Sequence, residues 1–214
     1  MIGNYRHIIW DWNGALVDDL ALNVAIVNTM LSQRGMAPVT HDQYRELITF
    51  PIQEFYRSIG FDFDREPFEQ LAVEFIRSYK SGWHQSSLHL HSRKILEHVR
   101  AMGRSQSVLS ANHRDTLREY VATFGIVHLF EHLVGLDNFQ ATSKVAEGRQ
   151  LLDRLPHDAT EILLVGDTLH DAEVADAIGV DCVLVAHGYQ SRQRLEQSGR
   201  PIIDSLSELM NGKP

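Results

Sequence analysis

Three short apolar runs each stop at a residue able to do chemistry. Ile8-Ile9-Trp10 stops at Asp11, Ser107-Val108-Leu109 at Ser110, and the run from Glu161 to Val165 at Gly166-Asp167. Such runs, bounded by turn residues, suit buried strands of a parallel sheet. In an open α/β sheet the strand ends share one edge, where ligands collect. Lys144, opening a helix entered from that edge, and Asp171, four residues after Asp167, join the set. Carboxylates gathered so closely raise one another's pKa unless a cation stands among them. A hard divalent ion, Mg2+ above all, resolves this with oxygen ligands at about 2.0–2.1 Å and commonly shares its shell with a phosphate. Taken singly, each residue also has a plainer reading. Asp11 can cap a turn, Asp171 can be a helix N-cap, and Lys144 can be a surface helix lysine.

The elements that must position these groups follow from the spacing of apolar residues. Asp18-Asp19 can begin a helix carrying Leu20, Val24, Val27, Met30 and Leu31 up to Gly35. Helices over 42–48 and 52–59, divided by Phe50-Pro51 and ended by Gly60, precede a longer one over 66–79. No strand-like alternation occurs between Asp18 and Trp83. From Ser92, helices over 95–102, 115–124, 144–155 and 171–178 alternate with strands over 107–109, 132–135, 161–165 and 181–185. The tail offers a short helix near Gln193, a candidate edge strand at Pro201-Ile202-Ile203 and a last helix from Leu206. The fold class is α/β. Residues 1–17 and 86–214 form a parallel-sheet core and 18–85 an inserted helical domain, with hinges near Leu16 to Asp18 and Ser81 to Leu90.

Of the 214 residues, 43% are apolar and 22% charged, which suits a globular chain able to bury a real core. A net charge of -8 without a dense Lys/Arg run argues against general nucleic-acid or anionic-membrane binding. The sequence shows neither a leader pattern nor an apolar stretch long enough to span a bilayer, so the expected compartment is the cytoplasm. The one cysteine, Cys182, excludes an internal disulfide and reads as a core thiol rather than a reactive one. Either a monomer or a homodimer is compatible with the sequence.

Four pieces of the sequence resemble, in order and spacing, the motifs of the haloacid dehalogenase superfamily of phosphotransferases. They are Asp-Trp-Asn-Gly-Ala-Leu-Val-Asp from Asp11, Ser110 after a strand, Lys144 opening a helix, and Gly-Asp-Thr-Leu-His-Asp from Gly166. The helical insertion is similar to the small cap of that family's phosphoglycolate phosphatase-like branch, and the resemblance covers essentially the whole chain. The fourth piece, followed by Ala172, Ala175, Ala177 and Gly179, is the most specific. The resemblance implies an HAD-like Rossmannoid core with a helical cap, and an Mg2+-dependent phosphatase acting on a small phosphorylated metabolite. It makes Asp11 the nucleophile that becomes an aspartyl-phosphate. Ser110 would bond a phosphoryl oxygen, and Lys144 would neutralise charge on the nucleophile and the transferring group. Backbone N–H groups around Trp12 to Gly14 would cradle the same oxygens. Mg2+ would be held by Asp11, the Asn13 carbonyl and Asp167, with Asp171 in support. Trp12, Gly14, Ala111, Asn112 and Phe50 are the candidate substrate contacts.

Asn13 departs from this pattern, standing where family phosphatases carry a second aspartate. A carboxamide neither gives nor takes a proton at neutral pH, and losing a positioned acid/base costs about 10²- to 10⁴-fold. Slow hydrolysis favouring a good leaving group is the leading reading. A histidine near the second hinge, His84, His89 or His91, could swing in and replace the acid, although the favoured reading of each is an exposed surface residue. Phosphonate-cleaving relatives also lack the aspartate, and Asp11-Trp12 is similar to them. They need a cap lysine, however, and Lys80 is the only lysine between Asp18 and Trp83. A protein that binds a phosphorylated ligand without turning it over is the reading from another class. Haloacid dehalogenation proper does not require the metal pattern that Asp167 and Asp171 preserve.

Three further features remain open in the sequence. Asn13-Gly14 is a pair in which backbone attack on the amide could create an aspartate. Ile48-Thr49-Phe50-Pro51-Ile52 is either a substrate-choosing loop or a plain helix connection; Phe50 there suits a small apolar or flat substrate. Trp12 also reads as core packing beside the site. The 12 histidines show no metal spacing.

Overall fold

Alternate residues of the sheet strands bury on opposite faces, as a sheet covered by helices on both sides requires. The computed structural model describes residues 2–137 and 143–210. Its strands are β1 (His7–Trp10), β2 (Val17–Asp18), β3 (Ser87–Leu88), β4 (Ser105–His113), β5 (His132–Leu136), β6 (Ile162–Gly166), β7 (Asp181–Val185) and β8 (Ile202–Ile203). Six of them form one sheet in the order β5-β4-β1-β6-β7-β8, every pair parallel. The chain leaves β1 towards β4 and β5, then crosses back to β6 and β7. That reversal opens a crevice at the C-terminal end of β1.

Ile8, Trp10, Leu163, Val165 and Val183 pack in one apolar cluster, and Ile9, Leu164, Cys182 and Leu184 in another. The first face is covered by α5 and α6 and the second by α7 and α8; with the other helices in chain order, these are α1 (Leu20–Gln33), α2 (His41–Leu47), α3 (Ile52–Ser58), α4 (Phe68–Gly82), α5 (Ser92–Ala101), α6 (Arg114–Thr123), α7 (Val145–Leu152), α8 (Leu169–Ile178) and α9 (Arg192–Leu195). Cys182 is buried in the second cluster, consistent with a core thiol. No described helix is long and apolar enough to cross a membrane.

Helices α1 to α4 all lie between β2 and β3, which pair antiparallel as a two-stranded ribbon where the chain leaves and re-enters the sheet region. His89 N–H and the Ser92 hydroxyl both donate to Leu16 O, at 2.9 and 2.8 Å, and fix that crossing. The inserted helices dock on the core through polar ties. Arg45 donates to Ala186 O and Gln190 O at 2.5 and 3.0 Å, and Gln190 and Arg194 donate to Ile48 O at 2.9 and 2.5 Å. At the far end Trp83 stacks on Tyr120 of α6 with ring centroids 3.8 Å apart.

The expected elements are present, with shifts at their ends. β4 runs on through Ser110 to His113, with a register irregularity between Leu109 and His113. The tail residues Leu206–Leu209 form a 3-10 turn rather than a full helix. The two-residue strands β2 and β3 carry too few side chains to show alternation and were not expected.

Candidate active site

Asp11 is the first residue past β1, and its N–H still bonds Val165 O of β6 at 2.8 Å, which holds its side chain at the sheet edge. Lys144 precedes α7 and sends a buried ammonium to the same point. Its Nζ donates to Asp11 Oδ1, to Asp171 Oδ1 at 2.7 Å and to Leu109 O at 3.1 Å. An ammonium has three donors, and all three are matched. Lys144 therefore offers an incoming anion its charge rather than a further hydrogen bond.

Asp171 is the third residue of α8, not its N-cap. Thr168 caps the helix, its Oγ1 accepting from Asp171 N–H, and Asp171 Oδ2 accepts in return from Thr168 N, Thr168 Oγ1 and Asp167 N at 3.0, 2.7 and 3.1 Å. Asp167 Oδ2 accepts from Tyr189 N–H at 2.7 Å, whereas Asp167 Oδ1 is buried without a hydrogen-bond partner among the described residues. Gly14 and Gly188 close around this carboxylate. A Cβ on either would stand 2.2 Å from Asp167 Oδ2, and Gly14 also has φ +78°.

One oxygen from each of Asp11, Asp167 and Asp171 lies within 4.8 Å of the others. A buried, unpartnered carboxylate oxygen in a set of three carboxylates against one ammonium fits a hard divalent cation. The electrostatics agree. Burial pushes Asp11 up to about 7, with Asp171 adding to the rise and Lys144 opposing it. Burial, then Asp11 and Asp171, holds Asp167 well above the usual carboxylate range. Burial would raise Asp171 too, but the Lys144 ammonium and the Thr168 hydroxyl hold it below that range.

Asn13 is held from three sides. Its amide nitrogen donates to Asp19 Oδ2 and Tyr79 Oη at 2.7 and 2.8 Å, and its oxygen accepts from Asn112 at 2.6 Å. Asp19 is itself buried, and its Oδ2 also accepts from Tyr79, Tyr189 and Asn23 at 2.7, 2.8 and 3.2 Å. Burial raises the Asp19 pKa against the pull of these donors. The knot joins the inserted helices, through Asp19, Asn23 and Tyr79, to the core, through Asn13 and Tyr189.

Over these groups lies a cavity of about 210 Å³. Asp11, Asn13, Ser110, Lys144, Asp167 and Asp171 line its floor, and the candidate contacts Ala111, Asn112 and Phe50 also line it. Ser110 is buried and accepts from Asn112 N–H at 3.1 Å, so its own O–H is the donor it can turn into the cavity. Phe50 stacks on His170 of α8 at 5.1 Å, and Ile48 and Ile52 flank it on the wall. The 48–52 stretch, which connects α2 and α3, thus also lines the cavity through Ile48, Phe50 and Ile52.

Several expected contacts lie elsewhere. The Trp12 ring is buried in the core against Phe124, as its core-packing reading expects, because it shares the inward face of Trp10 two residues earlier, and it does not line the cavity. Gly14 supports Asp167 from behind, and its N–H is committed to Val17 O at 2.9 Å rather than to a ligand. His84 is exposed, and His89 and His91 lie at the re-entry ribbon, where the His89 ring stacks on His187 at 3.8 Å. None of the three lines the cavity, whose histidines are His113 and His170. Lys80, expected only at the far end of the insertion, is exposed yet stands at the cavity wall. Sequence reading missed Asp19, Tyr79, Gly188 and Tyr189. For Gly188 the signal was available, a glycine just past a strand that ends on the shared edge.

A parallel sheet reversing at β1, with an acidic triad and a lysine at the strand ends and helices inserted after the first motif, defines a Rossmann-like class of phosphoryl-handling folds. The chain belongs to the haloacid dehalogenase-like hydrolase family, which matches over residues 8–185. It is 24% identical over 221 residues to a phosphoglycolate phosphatase of Aliivibrio fischeri, covering 99% of this chain and 94% of that one. It is 26% identical over 198 residues to the tyrosine-protein kinase PtkA of Mycobacterium tuberculosis, covering 92% of this chain and 67% of the relative. Among solved structures, a haloacid dehalogenase-like family hydrolase from Streptococcus pneumoniae superposes with a TM-score of 0.84 at 17% identity, covering 97% and 98% of the two chains.

Proposed function

We propose that this protein is an Mg2+-dependent phosphate-monoester hydrolase that works through an aspartyl-phosphate on Asp11. The observation that carries this reading is that Asp167 Oδ1 is buried without a hydrogen-bond partner among the described residues, in a carboxylate that gathers with those of Asp11 and Asp171 where carboxylates outnumber cations. Asp11, Asp167 and Asp171, with the Asn13 backbone carbonyl, would hold Mg2+. Bound there, the ion would supply Lewis-acid charge against phosphoryl oxygens.

The residues of the chain then divide the work. Lys144 favours the ionised form of Asp11 against its burial and orients it for attack on phosphorus. Ser110 can donate to a phosphoryl oxygen and Asn112 fixes the Asn13 oxygen beside it. Residues 18–85 act as a cap that closes over the strand ends and limits water. Asn13 positions and does not transfer protons, so turnover is slow where the leaving group must be protonated. The two curated relatives carry the names of a phosphatase and a kinase, and both names describe phosphoryl transfer. The expected substrate is a small phosphorylated metabolite handled in the cytoplasm by a monomer or homodimer.

Phosphate release from a panel of monoesters, with and without Mg2+, tests the reading. Wild type is expected to release phosphate only with Mg2+, and Asp11→Ala to fall to background. If no variant, Asn13→Asp included, releases phosphate while phosphorylated ligands still raise the melting temperature, the protein is a binder and not a hydrolase.

A further inference from the structure

The cavity is two-sided. Its floor carries the ionised groups, and the wall facing them is built by the inserted helices from Val27, Phe55, Tyr56, Phe68, Phe75 and Ile76. Among the described residues no arginine lines it. Arg34 is paired to Glu66 and Glu74, and Arg45 is spent on the Ala186 and Gln190 carbonyls. The floor's ammonium, Lys144, has its three donors matched. Lys80, which is exposed, is the other lysine lining the cavity among the described residues; the face made by Phe55, Phe68 and Phe75 is itself apolar and favours a ring over a carboxylate laid against it.

Asn13 bears on the same question independently. With an amide in place of an acid at that position, Asn13 gives no proton to the departing oxygen, which favours a leaving group that needs none. An alkoxide, with a conjugate acid near the pKa of water at about 15.7, leaves poorly. A phenolate, with a conjugate acid near about 10, leaves without help.

From the aromatic wall and the amide together we infer that the substrate is the phosphate monoester of a phenol, its ring lying against the Phe55, Phe68 and Phe75 wall. The inference rests on the hydrolase reading above and specifies its leaving group. In the first step an Asp11 carboxylate oxygen bonds to phosphorus, and the phosphorus–aryloxygen bond breaks with its electron pair leaving on the phenolate, which takes a proton from solvent. In the second, water adds to phosphorus and expels the Asp11 carboxylate, giving inorganic phosphate and returning a proton to solvent. With no base at position 13 the second step is the slower, so phospho-Asp11 accumulates.

Binding and turnover test this separately. Phenylphosphonate, propylphosphonate and phosphonoacetate are titrated by thermal shift, with and without Mg2+. The aryl ligand is expected to bind at least about 10-fold tighter than phosphonoacetate, the gain from burying one ring on an apolar wall. Phe75→Ala, at a half-buried position, is expected to shrink that ratio. In rapid mixing with phenyl phosphate, phenol is expected to appear in a burst of about one per chain before the steady state. Phosphonoacetate binding as tightly as phenylphosphonate, or an unchanged ratio in Phe75→Ala, overturns the inference. Phosphate release from carboxylated alkyl esters but not from phenyl phosphate overturns it too while leaving the hydrolase reading standing. No release from any ester, with the aryl preference in binding intact, overturns the hydrolase reading instead.

Discussion

The Asn13 amide donates to the buried Asp19 carboxylate at 2.7 Å, so the position where family phosphatases carry an acid is here a hydrogen-bond donor to another acid. Asn13→Asp removes that donor and sets two carboxyls against each other. The new carboxyl is expected to have a folded pKa above its unfolded value. Its contribution to stability is then present below the unfolded pKa and lost as pH rises through the folded one. Chemical denaturation should show a loss of about 1–3 kcal/mol at pH 8, smaller at pH 5 and relieved by adding Asp19→Asn. On alkyl phosphates the same variant should gain rate, by up to about 10²- to 10⁴-fold, and gain less on aryl phosphates.

Asp167→Asn separates the metal from the fold. Removing one of the three buried carboxylates lowers their mutual repulsion, so the metal-free melting temperature should rise. Wild type should gain stability with Mg2+, by about 2.7 kcal/mol at 100 times the dissociation constant, and Asp167→Asn should gain little. Calorimetric scans across an Mg2+ series check both signs.

Lys144→Met should be among the most damaging substitutions. It leaves Asp11 and Asp171 buried without their cation, and breaking a buried pair from one side costs about 3–5 kcal/mol. Urea unfolding measures the loss. A Lys144→Met chain as stable as wild type would mean that the ammonium is not holding these carboxylates.

His7 sets an acid limit. It is fully buried at the start of β1, with Nδ1 2.6 Å from Ser105 Oγ and Nε2 without a partner. Burial, then His157 and His132, lowers its pKa to about 3. The unfolded chain therefore binds a proton that the folded chain refuses. Stability is expected to be full above the unfolded value of about 6.5 and to fall as pH drops towards 3, by about 1.4 kcal/mol per pH unit at most. His7→Gln should flatten the melting temperature between pH 6.5 and 5.

Asn13-Gly14 is open to deamidation in the sequence, but the structure closes that route. The Asn13 amide is tied on both of its atoms, and the Gly14 nitrogen that would attack it donates to Val17 O at 2.9 Å. Peptide mapping of fresh protein is expected to show intact Asn13.

What was legible in the sequence was local. Asp11 and Asp167 follow short apolar runs that suit buried strands, and the turn residues after them mark the functional edge. The Asp19 knot was not legible, because its partners Tyr79 and Tyr189 lie 60 and 170 residues away and meet only once the inserted helices dock. The Trp12 ring packs in the core, as its core-packing reading expects, because it shares the inward face of Trp10. His84, His89 and His91, one alternative source of the missing acid, do not line the cavity.

The most direct measurement is acid-quenched peptide mass mapping after mixing the protein with Mg2+ and phenyl phosphate for less than one turnover. One phosphoryl group is expected on the peptide that contains Asp11, absent without Mg2+ and absent in Asp11→Asn. Turnover with Asp11 unmodified, or the phosphoryl group on another residue, would contradict Asp11 as the group that takes the phosphate.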